Sequence, residues 1–323
     1  MKKLTCASFF AGVGGIDLGF EMTEHFKTIY ANEFDKSASI TYETNFETTV
    51  DCRDINIVTN DEIPDFDVML AGFPCQAFSI AGYRQGFDDE KGRGTLFFQL
   101  MRIIKVKKPS IIFLENVKNL VSHDNGKTFR IILEALETEG YFVKYSVLNT
   151  MDYGNIPQNR ERIYIVAFKN HEQYKNFEFP HPVELTTKLC DLIDYNTKVD
   201  DKFYYTETSF SHYDMLKESV TNPDTLYQWR RVYVRENKSG VSPTLTANMG
   251  TGGHNVPLVL TKNGIRKLTP KECFSIQGFP SDFKLPKLAN SHLYKQAGNS
   301  VSVTVINRIA QNIVKAITTE KEN

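Results

Sequence analysis

The sequence predicts an α/β protein with a doubly wound, mostly parallel sheet and a smaller, loop-rich, mainly β second domain. Short apolar runs alternate with amphipathic helical stretches through the first half of the chain. The alternation breaks after Phe168. At 323 residues the chain sits near the upper end for one domain, so two unequal domains are expected.

Leu4 to Phe10 is an apolar run that meets AGVGG and then IDLGFEMTEHF, where Ile16, Phe20 and Thr23 recur at helical spacing. Strand, tight glycine turn and helix follow in that order. DVMLAG reads as a buried strand. TLFFQLMRIIKVKKP places Leu96, Phe97, Leu100, Met101 and Ile104 on one stripe, stopped by lysines and Pro109. IIFLEN is the next buried strand, a helix with Phe129, Ile132, Leu133 and Leu136 on one face ends at Gly140, and YFVKYSVL and RIYIVAF supply two further strands. Residues 170–262 carry prolines, many polar residues, short strand-like pieces such as RRVYVRE and the glycine-rich NMGTGGHN, and read as the separate domain. A final helix with Val305, Ile309 and Ile313 on one face is expected to dock back on the sheet.

Composition narrows the class. With 41% apolar and 24% charged residues, and no run near the ~18 apolar residues of a membrane helix, a soluble protein is expected. The start MKKLTCASFF enters AGVGG without the apolar core and cleavage site of a secretory signal, which predicts an intracellular, cytoplasmic protein. Five scattered cysteines, odd in number and without a CxxC pair, suggest neither a disulfide framework nor a zinc site. A net charge of -1 argues against a strongly basic nucleic-acid binder while leaving room for a basic cleft.

Ligands of open doubly wound sheets bind beyond the carboxyl ends of the strands, and four features fall there. In FFAGVGGIDLGF, Gly12, Gly14 and Gly15 let the backbone turn sharply and approach a ligand, though a bare strand-to-helix connection has the same composition. Glu33, at the end of the second strand, is placed to accept from ribose hydroxyls, and Asp54 from an adenine amino group; the alternatives are a surface carboxylate and a solvated loop aspartate. Cys75, in LAGFPCQAFS, is a lone cysteine held by Pro74 at a strand end, where position outweighs the default of an inert buried thiol. Glu115 ends the apolar IIFLEN strand at the same edge, where a carboxyl can have a raised pKa and act as an acid. Arg160 and Arg162 alternate just before a buried strand and so point the same way, unless they are two surface arginines.

Taken in order, FFAGVGGIDLGF, GFPCQAFS, ENV, QNRER, RKLTPKECFSIQGFP and QAGNSVSV closely resemble the motif set of the DNA (cytosine-5)-methyltransferases, in particular the compact bacterial modification enzymes of restriction systems. The resemblance covers nearly the whole chain and is strongest outside residues 170–262. It implies the class I fold of enzymes that use S-adenosyl-L-methionine and release S-adenosyl-L-homocysteine. It further implies that Phe10, Gly12 and Gly14 hold the cofactor, with Glu33 on the ribose, Asp54 near the adenine, and Pro74 and Asn299 lining the pocket. Residues 1–185 and 295–323 would form the catalytic domain, and 186–294 the target-recognition domain and hinge.

By the same resemblance, Cys75 is the nucleophile that adds to cytosine carbon 6, Glu115 holds and protonates ring nitrogen 3, Arg162 binds the base's carbonyl oxygen and Arg160 supports the site. No metal is required. The target base must leave the helix stack, and SIAGYRQGFDDEKGRG, with Gly82, Gly86, Gly92 and Gly94, is expected to close over it. Its DDEKGRG part is a little longer than in the most compact members. Arg230, Arg231 and Arg235, with Lys238, are the candidate readers of double-stranded DNA; the alternative is a solvated charged strand. The Thr244–Leu245 pair is expected at the major groove, while Thr269, Glu272 and Gln277 organise the recognition domain and Cys273 packs. A monomer acting beside a separate cognate restriction endonuclease follows. Three rivals stand against this: tRNA cytosine methylation, a silent DNA-binding regulator, and a redox role for Cys75. The basic recognition segment opposes the first, the presence of Cys75, Glu115 and Arg162 the second, and the lack of a nearby resolving cysteine the third.

Overall fold

Apolar runs with no polar face need cover on both sides, and the first half of the chain is built of such runs. In the computed structural model, which describes residues 2–74, 96–251 and 255–319, they form a seven-stranded sheet. Its strands are β1 (Leu4–Phe9), β2 (Phe26–Asn32), β3 (Val50–Asp51), β4 (Val68–Gly72), β5 (Ile111–Val117), β6 (Phe142–Asn149) and β7 (Glu161–Phe168). Their spatial order is β3-β2-β1-β4-β5-β7-β6. The pairs from β3 through to β5 are parallel, whereas β7 runs antiparallel to β5, from Ile111 opposite Phe168 to Val117 opposite Arg162. The chain winds outward from β1 to β3 and then restarts on the other side of β1 with β4. The strand order therefore reverses between β1 and β4, the point at which ligands bind in such sheets.

Helices cover both faces. Strand β5 shows why: Ile112 and Leu114 join a core with Phe97, Leu100 and Ile104 of α3 (Leu96–Lys107) and Ile132 and Leu136 of α4 (Lys127–Thr138). Phe113, pointing the opposite way, stands edge-on to Phe20 of α1 (Gly15–Glu21) at 5.1 Å. The second helix, α2 (Lys36–Asn45), starts on the Asp35 side chain, which accepts from the Ser37 and Ala38 N–H groups. The terminal helix Val303–Thr318 docks as expected, with Ile309 and Ile313 fully buried. A side chain on Gly19 of α1 would stand 2.5 Å from Ile306 Cγ2, so glycine is what lets the two helices approach.

The chain divides into two compact units: Met1–Leu148, Glu161–Pro180 and Ile306–Asn323 in the first, and Asn149–Arg160 with His181–Val305 in the second. The return segment belongs with the second because the Asn159 N–H donates to Ser242 O at 2.9 Å and the Ser242 N–H to Pro157 O at 2.7 Å. The second unit carries a four-stranded sheet in the order β11-β10-β8-β9, with β8 (Tyr227–Trp229), β9 (Val234–Glu236), β10 (Leu258–Thr261) and β11 (Gly264–Lys267) all paired antiparallel. Leu216, Val220, Tyr227, Trp229, Leu258 and Ile265 form its core. RRVYVRE is not one strand but a turn leading into β9. Arg231 has φ 63°, and the Arg230 N–H donates to Tyr233 O at 2.8 Å, so the chain reverses before β9 starts. Irregular backbone makes up much of the remainder.

Candidate active site

Beyond β1 the backbone turns through left-handed geometry at Phe10 (φ 54°), Gly12 (φ 58°) and Gly14 (φ 82°). The two glycines serve different ends. A Cβ at Gly14 would lie 2.3 Å from Phe46 Cε2, so that position packs too closely for any side chain, whereas a Cβ at Gly12 would meet nothing within 4 Å, which leaves its backbone open to an incoming group. Phe10 packs against the core. Glu33, just past β2, accepts from the Gly12 N–H at 2.8 Å through Oε2 and from the Asp35 N–H at 2.7 Å through Oε1. Its carboxylate is thereby tied to the turn. Asp54 accepts from the Asn56 backbone and side chain at 2.9 and 2.7 Å and so shapes the loop after β3.

Two strands from β1 along the same edge, Glu115 of β5 sits opposite Gly72 of β4 and Tyr164 of β7. Arg162 Nε stands 3.1 Å from Glu115 Oε1, the two side chains being 14% and 11% exposed. Arg162 also donates to the Glu161 carbonyl at 2.8 Å. A carboxyl and a guanidinium held together at a strand edge can present a hydrogen-bonding couple to a planar base. Asn116 donates to the Phe73 carbonyl at 2.8 Å, which fixes the backbone two residues before Cys75, and Pro74 is exposed. Cys75 and the glycine-bearing segment after it, including Gly82, Gly86, Gly92 and Gly94, lie outside the described residues.

The family model for the C-5 cytosine-specific DNA methylases matches residues 4–315. The chain belongs to that family. It is 64% identical to the Type II methyltransferase M.Bsp6I of Bacillus sp. (strain RFL6), over 97% of this chain and 99% of the relative, and 40% identical to the Type II methyltransferase M.HhaI of Haemophilus parahaemolyticus, over 97% and 95%. Among solved structures, a mutant of Spodoptera frugiperda DNMT2 superposes with a TM-score of 0.74 at 21% identity, covering 97% of this chain and 100% of that one, a likeness of fold.

In this methylase, Arg160 and Arg162 engage different partners. Strand β7 begins at Glu161, so the two-residue alternation does not reach Arg160. Arg160 is 2% exposed and donates to Leu245 O at 2.7 Å, to Gly298 O at 3.4 Å and to Ser300 O, all in the second unit. It clasps the Thr244–Leu245 loop to the end of the helix Asn290–Asn299, whose last residue, Asn299, is exposed. Gln158 adds to the clasp, accepting from the Leu245 N–H at 3.2 Å and donating to Ile276 O and Gln277 Oε1 at 2.8 and 3.0 Å. Leu245 is fully buried, and the Thr244 hydroxyl donates to Asn159 O at 2.6 Å, so this pair anchors its loop. Arg230, Arg231 and Arg235 are all exposed. Glu272 forms the capping box with Thr269 and pairs bidentately with the buried Arg266 at 2.6 and 2.8 Å, and Cys273 is fully buried.

Sequence reasoning missed three residues. Phe34 follows Glu33 and is 72% exposed, an aromatic just past the end of β2 that NEFD displayed openly. Gln158 sits in QNRER, where the arginines drew the attention. Asp17 lies in IDLGF and is fully buried, and burial pushes its carboxyl up to about 6.

Proposed function

We propose that this methylase is a sequence-specific DNA (cytosine-5)-methyltransferase of a restriction-modification system, and that the Glu115–Arg162 couple is its base-binding centre. The observation that carries the reading is that pair: held at 3.1 Å, with its acid on the strand next to the one that leads into Cys75, it joins an acid and a donor at one edge of the sheet. S-adenosyl-L-methionine fits the turn beside it, because Gly12 faces open space and Glu33 is already fixed to its N–H. Phe10, Gly12 and Gly14 would hold it, with Glu33 on the ribose hydroxyls, Phe34 against the adenine ring, and Asp54, Pro74 and Asn299 around it. When bound, the cofactor supplies an electrophilic methyl group.

The chain's own residues do the rest. Cytosine carbon 5 is too electron-poor to accept a methyl directly, so the Cys75 thiolate adds at carbon 6 and forms a C–S bond. Glu115 gives a proton to nitrogen 3, which removes the negative charge that would otherwise build on the ring, and the Arg162 guanidinium donates to the carbonyl oxygen. Carbon 5 thereby becomes nucleophilic and would take the methyl from the cofactor, which would leave as S-adenosyl-L-homocysteine; loss of the carbon 5 proton to a base then breaks the C–S bond and expels the thiolate. The target base must first be rotated from the duplex, at a cost of a few kcal/mol. Arg230, Arg231 and Arg235 grip the duplex, the clasped Thr244–Leu245 loop fixes its register, and Arg160 supports the site by holding that loop. The enzyme acts as a cytoplasmic monomer beside a separate endonuclease, with residues 1–185 and 295–323 catalytic and 186–294 reading the target. Among the described residues no helix is long and apolar enough to cross a membrane.

Incubation with S-adenosylmethionine and unmethylated genomic DNA, followed by bisulfite mapping, tests this. Methylation confined to one short motif and lost in Cys75→Ser is expected; no 5-methylcytosine in DNA, with methylation of tRNA under the same conditions, would overturn it.

A further inference from the structure

Among the described residues Asp17 is a buried charge without a counter-charge. Its carboxylate accepts from the Ser8 hydroxyl of β1 at 2.9 Å, the Thr28 hydroxyl of β2 at 3.1 Å and the Tyr42 hydroxyl of α2 at 3.0 Å, so one acid in α1 ties four elements together. Tyr42 stacks on Phe46 at 4.4 Å, and these two rings are the atoms that stand where a Gly14 side chain would be. A line of contacts therefore runs from Asp17 through Tyr42 and Phe46 to the glycine turn.

Among the described residues no cation pairs with this acid. Facing it are the three hydroxyls, Glu21 of its own helix, and Cys6 of β1, whose thiol is pushed up first by burial and then by Asp17 itself. Strand β4 has no charged residue, and Lys27 of β2 pairs instead with the exposed Glu47 at 3.6 Å. Burial lowers the pKa of Arg308, on the terminal helix that packs against α1. Isolated buried anions are costly, and they persist where a function needs them.

We infer that Asp17 is a positioning residue for the cofactor: through Tyr42 and Phe46 it sets the glycine turn, and its negative charge favours a ligand that brings a positive sulfur to that turn. This rests on the turn being the S-adenosylmethionine site. Burial places the titration of Asp17 near 6, so the ionised form predominates at neutral pH and is lost below it.

The test is the calorimetric affinity of the full chain for S-adenosylmethionine and for S-adenosylhomocysteine from pH 5 to 8. Both ligands carry the same ammonium and carboxylate, so their ratio isolates the sulfonium. The wild type should lose affinity for S-adenosylmethionine by on the order of tenfold as Asp17 is protonated, and less for S-adenosylhomocysteine. Asp17→Asn should show the weaker value at every pH, with the profile flattened and no drop in melting temperature at pH 7.5. Tyr42→Phe keeps the charge but removes a hydrogen bond that lowers the Asp17 pKa, so its midpoint should move to higher pH. An Asp17→Asn protein that binds both ligands with the wild-type pH profile overturns the inference. If Asp17→Asn does not fold, an unmoved Tyr42→Phe midpoint does the same. Should Glu33→Gln weaken binding while the Asp17 and Tyr42 variants do not, this inference fails and the cofactor site stands. If the wild type binds neither ligand, the site itself is wrong.

Discussion

Glu115→Gln separates chemistry from stability. At 3.1 Å from Arg162, opposite charges attract by about 5 kcal/mol at an effective dielectric of ~20. Both side chains are nine-tenths or nearly so withdrawn from water, so desolvation offsets most of that attraction, and loss of the charge costs about 1–3 kcal/mol of folding free energy. Glutamine keeps the shape, and Arg162 keeps its bond to the Glu161 carbonyl at 2.8 Å, which puts the loss at the low end and the melting shift at a few degrees. The chemical loss is far larger. Removing a positioned acid slows turnover by about 10²–10⁴-fold, or ~3–5 kcal/mol of barrier. Single-turnover methyl incorporation into a duplex, measured well below the melting temperature of both proteins, reads the second quantity, and a thermal melt reads the first. Turnover within threefold of wild type would falsify the assignment of nitrogen 3 protonation to Glu115. So would a slowing no greater than the unfolded fraction explains.

Four further outcomes follow from the geometry. Arg160→Met strands the carbonyls of Leu245, Gly298 and Ser300, and denaturant titration should show a loss of about 3 kcal/mol or more; a change below ~1 kcal/mol would mean the clasp is dispensable. Gly14→Ala puts a methyl 2.3 Å from Phe46 Cε2 at φ 82°, so a melt should show a cost of about 2–4 kcal/mol together with weakened cofactor binding in calorimetry, and a wild-type result in both refutes the packing argument. Glu272→Gln leaves the buried Arg266 without its carboxylate, with an expected loss of about 3–5 kcal/mol by chemical denaturation; retention of wild-type stability would show that Arg266 repacks. Asp17 titrates near 6 in the fold rather than at 3.8, so its stabilising contribution is complete below pH 3.8 and lost as pH rises through 6, at most about 3 kcal/mol. Melts of wild type and Asp17→Asn should therefore diverge in favour of the variant from pH 4 to pH 7.5, and a pH-independent difference would contradict the sign.

The sheet was legible because its strands carry no ambiguity of face. A run such as IIFLEN can be buried on both sides and nowhere else, and its closing Glu115 then falls at the sheet edge by counting alone. The glycine turn was legible for a similar reason, since AGVGG between a strand and a helix leaves few conformations. The hairpin of β8 and β9 was not. RRVYVRE alternates like a strand, but Arg231 adopts a left-handed turn that no propensity marks, and pairing with β8 decides where β9 begins. Asp17 was hidden by its own helix: polar residues at helical spacing read as a solvated face, and only the convergence of Ser8, Thr28 and Tyr42 from three other elements reveals that this one is interior.

QNRER states the limit of local reading most sharply. Its two arginines look equivalent, yet one is a structural clasp and the other the partner of Glu115, and nothing between them in sequence explains the difference. What separates them is the acceptor each meets. Arg160 meets main-chain carbonyls, neutral groups left over at the end of a helix and in a loop, and a planar guanidinium can bridge several of these while fully buried. Arg162 meets a carboxylate at a strand edge, where part of its surface stays accessible to a base. The chain passes from one compact unit to the other between Arg160 and Glu161. The same short segment thus fixes the loop that holds Thr244 and Leu245 through Arg160 and pairs with Glu115 through Arg162.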